Sequence, residues 1–140
     1  MSLEYIENGL TAEALAGLRD LAGWSHTEIE QARKALENTR FSVVAIDEGQ
    51  VVGMGRLVGD GAMIWYIQDV IVLPEYRRSG VGTVIVEKLL EYVRKEAMPG
   101  TKVAVGLMSA KGKEPFYEKC GFYTRPNERE GAGMMMRITV

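Results

Sequence analysis

A chain of 140 residues is long enough for one domain with a buried core and too short for two ordinary ones. Hydrophobic residues at 46%, charged residues at 26% and a formal net charge of −2 describe an ordinary globular chain and exclude a general electrostatic attraction to nucleic acid. No stretch is apolar over the ~18 residues that a membrane span needs, and the single cysteine, Cys120, excludes an internal disulfide. The expectation is one domain over residues 1–140, cytoplasmic, with no membrane and no nucleic-acid partner, acting on a small molecule or a peptide. No charged segment leads into a long apolar one at the start, so no secretory signal is expected. No spacing of His, Cys, Asp and Glu suits a metal.

Leu3–Ile6 reads as a short strand, followed by a turn at Asn8-Gly9 and a helix capped by Thr11. Leu10, Ala14, Leu15, Leu18 and Leu21 give that helix one apolar face, and Gly23 ends it. Ser25-His26-Thr27-Glu28 has the form of a capping box, which predicts a second helix from Ser25 carrying Ile29, Ala32 and Leu36. Phe41–Ile46 and Val51–Val58 are strands joined by a hairpin at Asp47-Glu48-Gly49-Gln50. Gly53-Met54-Gly55 with Gly59 is not a dinucleotide fingerprint, because no helix follows; such glycines mark a bulge or close packing.

Asp60-Gly61 turns the chain into the strand Met63–Leu73, apolar on both faces and therefore central, in which Gln68 and Asp69 stand out. Pro74 ends it. A basic turn follows, then a helix over 80–98 with Ile85, Val86, Leu89, Leu90 and Val93 on its inner side. The first N–H groups of that helix lack internal partners, and Gly80 and Gly82 let backbone approach a ligand, so the turn suits a phosphate at the C-terminal end of a central strand. Lys102–Met108 is the next strand, parallel to the first, and Glu114–Lys119 a short helix stopped by Gly121. Phe122–Thr124 and Met134–Val140 read as the last two strands.

Arg77-Arg78-Ser79-Gly80-Val81-Gly82 resembles the Arg/Gln-x-x-Gly-x-Gly/Ala signature of the GNAT superfamily of acetyl-CoA-dependent N-acetyltransferases, and follows Val-x-Pro-x-Tyr-Arg as it does there. Phe116-Tyr117-Glu118-Lys119-Cys120-Gly121-Phe122 resembles the second family motif, and the order of elements is similar over nearly the whole chain. The ending is similar to small bacterial arylalkylamine-type members. The resemblance implies an α+β fold: a mixed, splayed, mostly antiparallel sheet of six to seven strands flanked by about four helices, with acetyl-CoA in the gap. Its pyrophosphate would lie on backbone N–H groups of Arg78, Ser79, Gly80, Val81, Gly82 and Thr83, with the Arg77 and Arg78 side chains adding charge. Its pantetheine arm would pair with Val70, Ile71 and Val72 like an added strand. Where many relatives have an asparagine at the pantetheine arm this chain has Ala110, and Ser109 is the substitute. Relatives are often homodimers, and the sequence leaves the assembly open.

Tyr117 is the residue the resemblance makes a general acid, protonating the departing thiolate; on spacing alone it would merely pack beside Phe116. A backbone N–H near Val70 or Ile71 would meet the developing oxyanion. For the base, Asp69 comes first, with Glu28 and His26 behind it. Cys120 reads as a packing residue. The acceptor would lie between the Trp24 region and the loop Arg125–Gly133, where an aromatic ring and the carboxylates Glu28, Glu30, Glu128 and Glu130 suit a cationic primary amine. A non-catalytic acyl-CoA sensor on the same scaffold is the alternative. An NAD-dependent enzyme is disfavoured, since Pro74–Ser79 separate strand from glycines and Leu107-Met108-Ser109 offers no carboxylate for a ribose.

Overall fold

The computed structural model describes residues 2–140, which form two compact units, one running to Leu107 and the other Met108–Val140. In the first, strands β1 (Leu3–Glu7), β2 (Phe41–Asp47), β3 (Gln50–Gly59), β4 (Ile64–Val72) and β5 (Ala104–Gly106) lie in one sheet in chain order. β1 to β4 pair antiparallel in succession, whereas β4 and β5 are parallel, an arrangement that needs a crossover connection, here supplied by the helix between them. Glu48 and Gly49 both have positive φ, 48° and 81°, which is the two-residue primed turn whose twist matches a hairpin.

The helices of this unit are α1 (Ala12–Leu21), α2 (Ile29–Glu37) and α3 (Val81–Glu96). Thr11 caps α1 by accepting from the Ala14 N–H at 3.1 Å. Leu10, Ala12, Leu15 and Leu18 are buried, but Leu21, expected on the same face, is 74% exposed where the helix ends. The predicted capping box does not form: α2 starts four residues after Ser25, and residues 24–28 are not helical. Glu28, the acidic member of the box, lies 3.5 Å from His26 instead and is itself the N-cap residue of α2, and Thr27 between them accepts from Arg19 Nε at 2.9 Å.

α3 covers one face of the sheet through Val81, Ile85, Val86, Leu89 and Val93, all buried, each worth about 1.5–3 kcal/mol relative to exposure. It can approach because β3 carries Gly53 and Gly55 beneath it. A Cβ on Gly55 would stand 2.7 Å from Ile85 Cγ2 and 3.2 Å from Leu89 Cδ1, and one on Gly53 would stand 3.2 Å from both Ile85 Cδ1 and Val81 Cγ1. The glycines of the discarded dinucleotide pattern are thus a seat for a helix. Arg56, one residue on, points to the opposite face, which α1 and α2 cover.

The second unit holds one helix, α4 (Glu114–Lys119), with Pro115 in its first turn and Gly121 beyond its end at φ 102°. The sheet of six to seven strands is not found: the described residues form five. Phe122–Thr124 and Met134–Val140 make no ladder, and Met134, Met136 and Ile138 are 88%, 81% and 75% exposed. Alternation marks a segment able to be a strand, but a strand exists only where a neighbour supplies the bonds. Among the described residues no helix is long and apolar enough to cross a membrane.

Gly55→Ala should destabilise by ~1–3 kcal/mol, because Ile85 Cγ2 is a branch of a fully buried side chain with nowhere to move. Thermal unfolding should show a midpoint several degrees lower, whereas Gly17→Ala, with nothing within 4 Å of its added methyl, should not lower it.

Candidate active site

The site is built on an irregularity in β4. Met54 pairs with Ile71 and Arg56 with Gln68, so the single residue Gly55 faces two, Asp69 and Val70. This is a β-bulge, and Asp69 takes the extra turn at φ 57°, a left-handed conformation that Asp tolerates better than most residues. The side-chain alternation is broken there. Trp65, before the bulge, packs edge-on to Tyr92 of α3, while Gln68 and Asp69 in succession line a pocket on the face covered by α1 and α2. Val70 returns to the α3 side, 3.5 Å from the Cβ position of Gly55.

Asp69 is 3% exposed, and a carboxylate so placed must be paired. Its Oδ1 accepts from Arg19 Nη1 of α1, and its Oδ2 from Arg56 Nε of β3 at 2.6 Å. Gln68 Nε2 stands 3.5 Å from Oδ1. Arg19 is held further by Thr27 Oγ1 and lies 5.1 Å from the centre of the Trp24 ring. Arg56 Nη1 donates to Thr39 Oγ1 at 3.3 Å. The pocket over these groups has a volume of about 230 Å³. Trp24, expected at the acceptor from the sequence, is not among the residues lining this pocket; its ring lies against Arg19, which is. Glu28 is at the pocket's rim in sequence only: its carboxylate is exposed and 3.5 Å from His26 Nε2, while His26 Nδ1 is 3.4 Å from Asp20.

On the other side β4 pairs with β5 only over Ile64–Tyr66, so Ile67–Val72, which include Val70, Ile71 and Val72, lie beyond that ladder. β4 runs into a turn of 3-10 helix, Pro74–Tyr76, and then into α3. Arg78 and Gly80 both have left-handed backbone, φ 65° and 82°, which folds the turn Arg77–Gly80 back on itself ahead of the helix. Gly80 is the N-cap residue and has no side chain to cap with; the first helical bond is Val84 N–H to the Gly80 carbonyl at 3.0 Å. The N–H groups of Val81, Gly82 and Thr83 are left without partners inside the helix, at its positive end. Ser79, Gly80 and Thr83 are exposed.

The two arginines of the turn differ. Arg77 Nε donates to the Val72 carbonyl at 3.2 Å, tying the turn back to the strand end, while Arg78 is exposed. The turn is tethered a second time by the Tyr76 hydroxyl, which donates to Asp47 Oδ2 at 2.6 Å, and Asp47 Oδ1 accepts from the Ser2 N–H at 2.8 Å. The Tyr76 bond, then the Ser2 bond, hold the Asp47 carboxyl below its ordinary range, and Asp47 in turn pushes the Tyr76 phenol up. Such a depressed carboxylate contributes above its unfolded-state range and is lost on acidification through its folded one.

In the second unit Tyr117 sits in α4, half-buried, with Phe116 and Phe122 edge-on at centroid distances of 4.9 and 6.0 Å. Burial, then the neighbouring Cys120, pushes its phenol up to about 12. The Ser109 hydroxyl donates to the Ala110 carbonyl at 2.8 Å. Among the described residues no group of three His, Cys, Asp or Glu could hold a metal. Arg19, Arg56, Asp47 and Tyr76 escaped the sequence reading. The signal for the first two was Asp69 itself, since a carboxylate on a central strand requires cations, but which arginines supply them is a tertiary fact.

The model of the acetyltransferase (GNAT) family matches residues 8–122. A Staphylococcus aureus protein of unknown function, described as a probable acetyltransferase, has a crystal structure similar over 98% of this chain and 100% of its own, with 31% identity and a TM-score of 0.85. Among curated proteins, an uncharacterized N-acetyltransferase (ycf52) of Pyropia yezoensis is 25% identical over 84% of this chain and 67% of its own length. The glucosamine 6-phosphate N-acetyltransferase of Trypanosoma brucei brucei is 34% identical over 59% of this chain and 56% of its length. With its signature turn at the end of β4 and a family match over most of its length, the chain belongs to the GNAT family of acetyltransferases.

Proposed function

We propose that the protein transfers the acetyl group of acetyl-CoA to the primary amine of a small molecule. The observation that carries this reading is the succession of an open β4 edge at Ile67–Val72 and an uncapped α3 N-terminus at the end of the same strand. An extended arm with an amide at each end pairs with the first, and a pyrophosphate matches the second. Acetyl-CoA, when bound, supplies an activated thioester. Arg78 is the charge available to its phosphates; Arg77 acts by holding the turn to Val72. Ser109 is assigned to the pantetheine arm in place of the asparagine that Ala110 replaces.

The chain's own groups then account for the proton movements. The backbone at Val70 and Ile71, set by the bulge, donates to the carbonyl oxygen as negative charge develops on it. Tyr117 gives its proton to the departing thiolate. With its phenol at about 12 that transfer is uphill to a thiol of ordinary pKa, roughly 8.5, so it is coupled to the proton leaving the amine through water. Asp69 was the first candidate for the base, but both its oxygens already accept from guanidinium N–H groups. We assign it instead to positioning Arg19 and Arg56, with the bulge that they fix. That a relative is named a glucosamine 6-phosphate N-acetyltransferase supports a small-molecule acceptor.

Free-thiol release from acetyl-CoA with a panel of amines tests the reading. Tyr117→Phe should lower kcat at least tenfold with little change in acetyl-CoA affinity. Tight binding of acetyl-CoA without release on a broad panel would favour the sensor alternative. Because the phenol stays protonated, the acid form, up to about pH 11, no fall in kcat below about pH 10 should trace to Tyr117. Gly80→Asp would put a carboxylate into the helix N-terminus and should weaken acetyl-CoA binding more than tenfold in calorimetry while the fold is kept; unchanged affinity would remove the α3 N-terminus as the phosphate site.

A further inference from the structure

The acceptor pocket was expected, from Trp24 and Glu28, to take a cationic amine. The groups present there have the opposite character. Trp24 offers its ring to Arg19, so the surface that would receive a substrate cation is occupied. None of the carboxylates of α2 and the segment before it lines the pocket: Glu28 lies against His26, Glu30 against Arg33, and Glu37 at the far end of the helix. The one carboxylate that lines the pocket, Asp69, is shared by two arginines, which leaves the cluster with an excess of one positive charge.

Exposure decides which of these charges a ligand meets. The Asp69 side chain is 1% exposed, whereas those of Arg19 and Arg56 are 21% and 15% exposed. All three line the pocket, and the two arginines are its more exposed charges. Each guanidinium has five N–H donors. Arg19 uses Nε on Thr27 and Nη1 on Asp69; Arg56 uses Nε on Asp69 and Nη1 on Thr39. These bonds engage Nε and Nη1 of each arginine, two of the three nitrogens of its fork. Two guanidinium forks fixed by a buried carboxylate, in a pocket of about 230 Å³, are a preorganised receptor for one small planar or tetrahedral oxyanion.

We propose that the acceptor amine carries an oxyanion, a carboxylate or a phosphate, and that Arg19 and Arg56 bind it. This deepens the transferase reading and rests on it for the word acceptor, while oxyanion binding itself can be measured without turnover. Arg19 and Arg56 are then the specificity-determining residues, and Asp69 aims them.

The test uses matched amines that differ only in the anionic group: alanine against alaninamide, phenylalanine against phenethylamine, and O-phosphoethanolamine against ethanolamine. Thiol release from acetyl-CoA should favour at least one anionic member over its neutral partner by tenfold or more in kcat/KM, and the pair that shows it distinguishes carboxylate from phosphate. Arg19→Gln should abolish that preference by raising the KM of the anionic amine at least tenfold, read only where its thermal stability stays wild-type-like because it breaks a buried pair; Arg19→Lys should restore part of it. In parallel, the same pairs are added to protein saturated with CoA, and the unfolding midpoint is recorded. Stabilisation by the anionic member alone supports the oxyanion site even if no amine is acetylated, in which case only the transferase reading fails. Equal or better turnover of the neutral members, or no difference in midpoint with any pair, overturns the proposal and leaves acetyl transfer standing. Arg56→Gln, which breaks a buried pair, is read only in the wild-type-like range of thermal stability, and the wild-type panel decides the matter without it.

Discussion

A buried carboxylate on a bulged strand is the constraint from which the rest of this structure follows. An unpaired Asp69 in that position would cost several kcal/mol, and its left-handed backbone about 1–3 more. Both are tolerated because Arg19 and Arg56 converge on it from α1 and β3. The ion triad therefore joins a helix and two strands at one point, and it fixes a strand irregularity that simple pairing would tend to remove. Through that irregularity Gln68 and Asp69 share one face, and the backbone at Val70 is offset from the regular ladder.

On the opposite face, packing rather than charge sets the geometry. The absence of side chains at Gly53 and Gly55 lets α3 lie close to β3, with Ile85 and Leu89 over the glycines. A helix held that closely presents its N-terminus at the end of β4, and the intervening turn is tied down by Tyr76 to Asp47 and by Arg77 to Val72. Because Gly80 brings no capping side chain, the donors of the first turn stay available. The site thus combines a rigid frame with deliberately unmet hydrogen-bonding capacity, along the β4 edge and at the helix end.

Some of this was legible residue by residue. The strand ending before Pro74, the basic turn, the helix from Val81 and the short helix around Tyr117 are local features, dictated by proline, glycine and apolar spacing within a few residues. The capping box at Ser25 was a local signal that lost: Thr27 is drawn to Arg19, Glu28 lies against His26, and the helix starts only after them. The two final strands were legible only as segments capable of pairing. Leu21 and Met134–Val140 keep apolar residues exposed that periodicity alone would bury.

The sequence by itself determined the element order, the family and the place of the signature turn, since each depends on short-range patterning. Only the tertiary structure decided the character of the pocket around Asp69. Its charges come from α1, β3 and β4, residues 19, 56 and 69, far apart along the chain, and their sign at the surface depends on which of them is buried. From spacing alone Trp24 and Glu28 invite a cation. Once Arg19 lies against the ring and Asp69 is buried between two arginines, the more exposed charges of that pocket are cations, because burial hides the carboxylate.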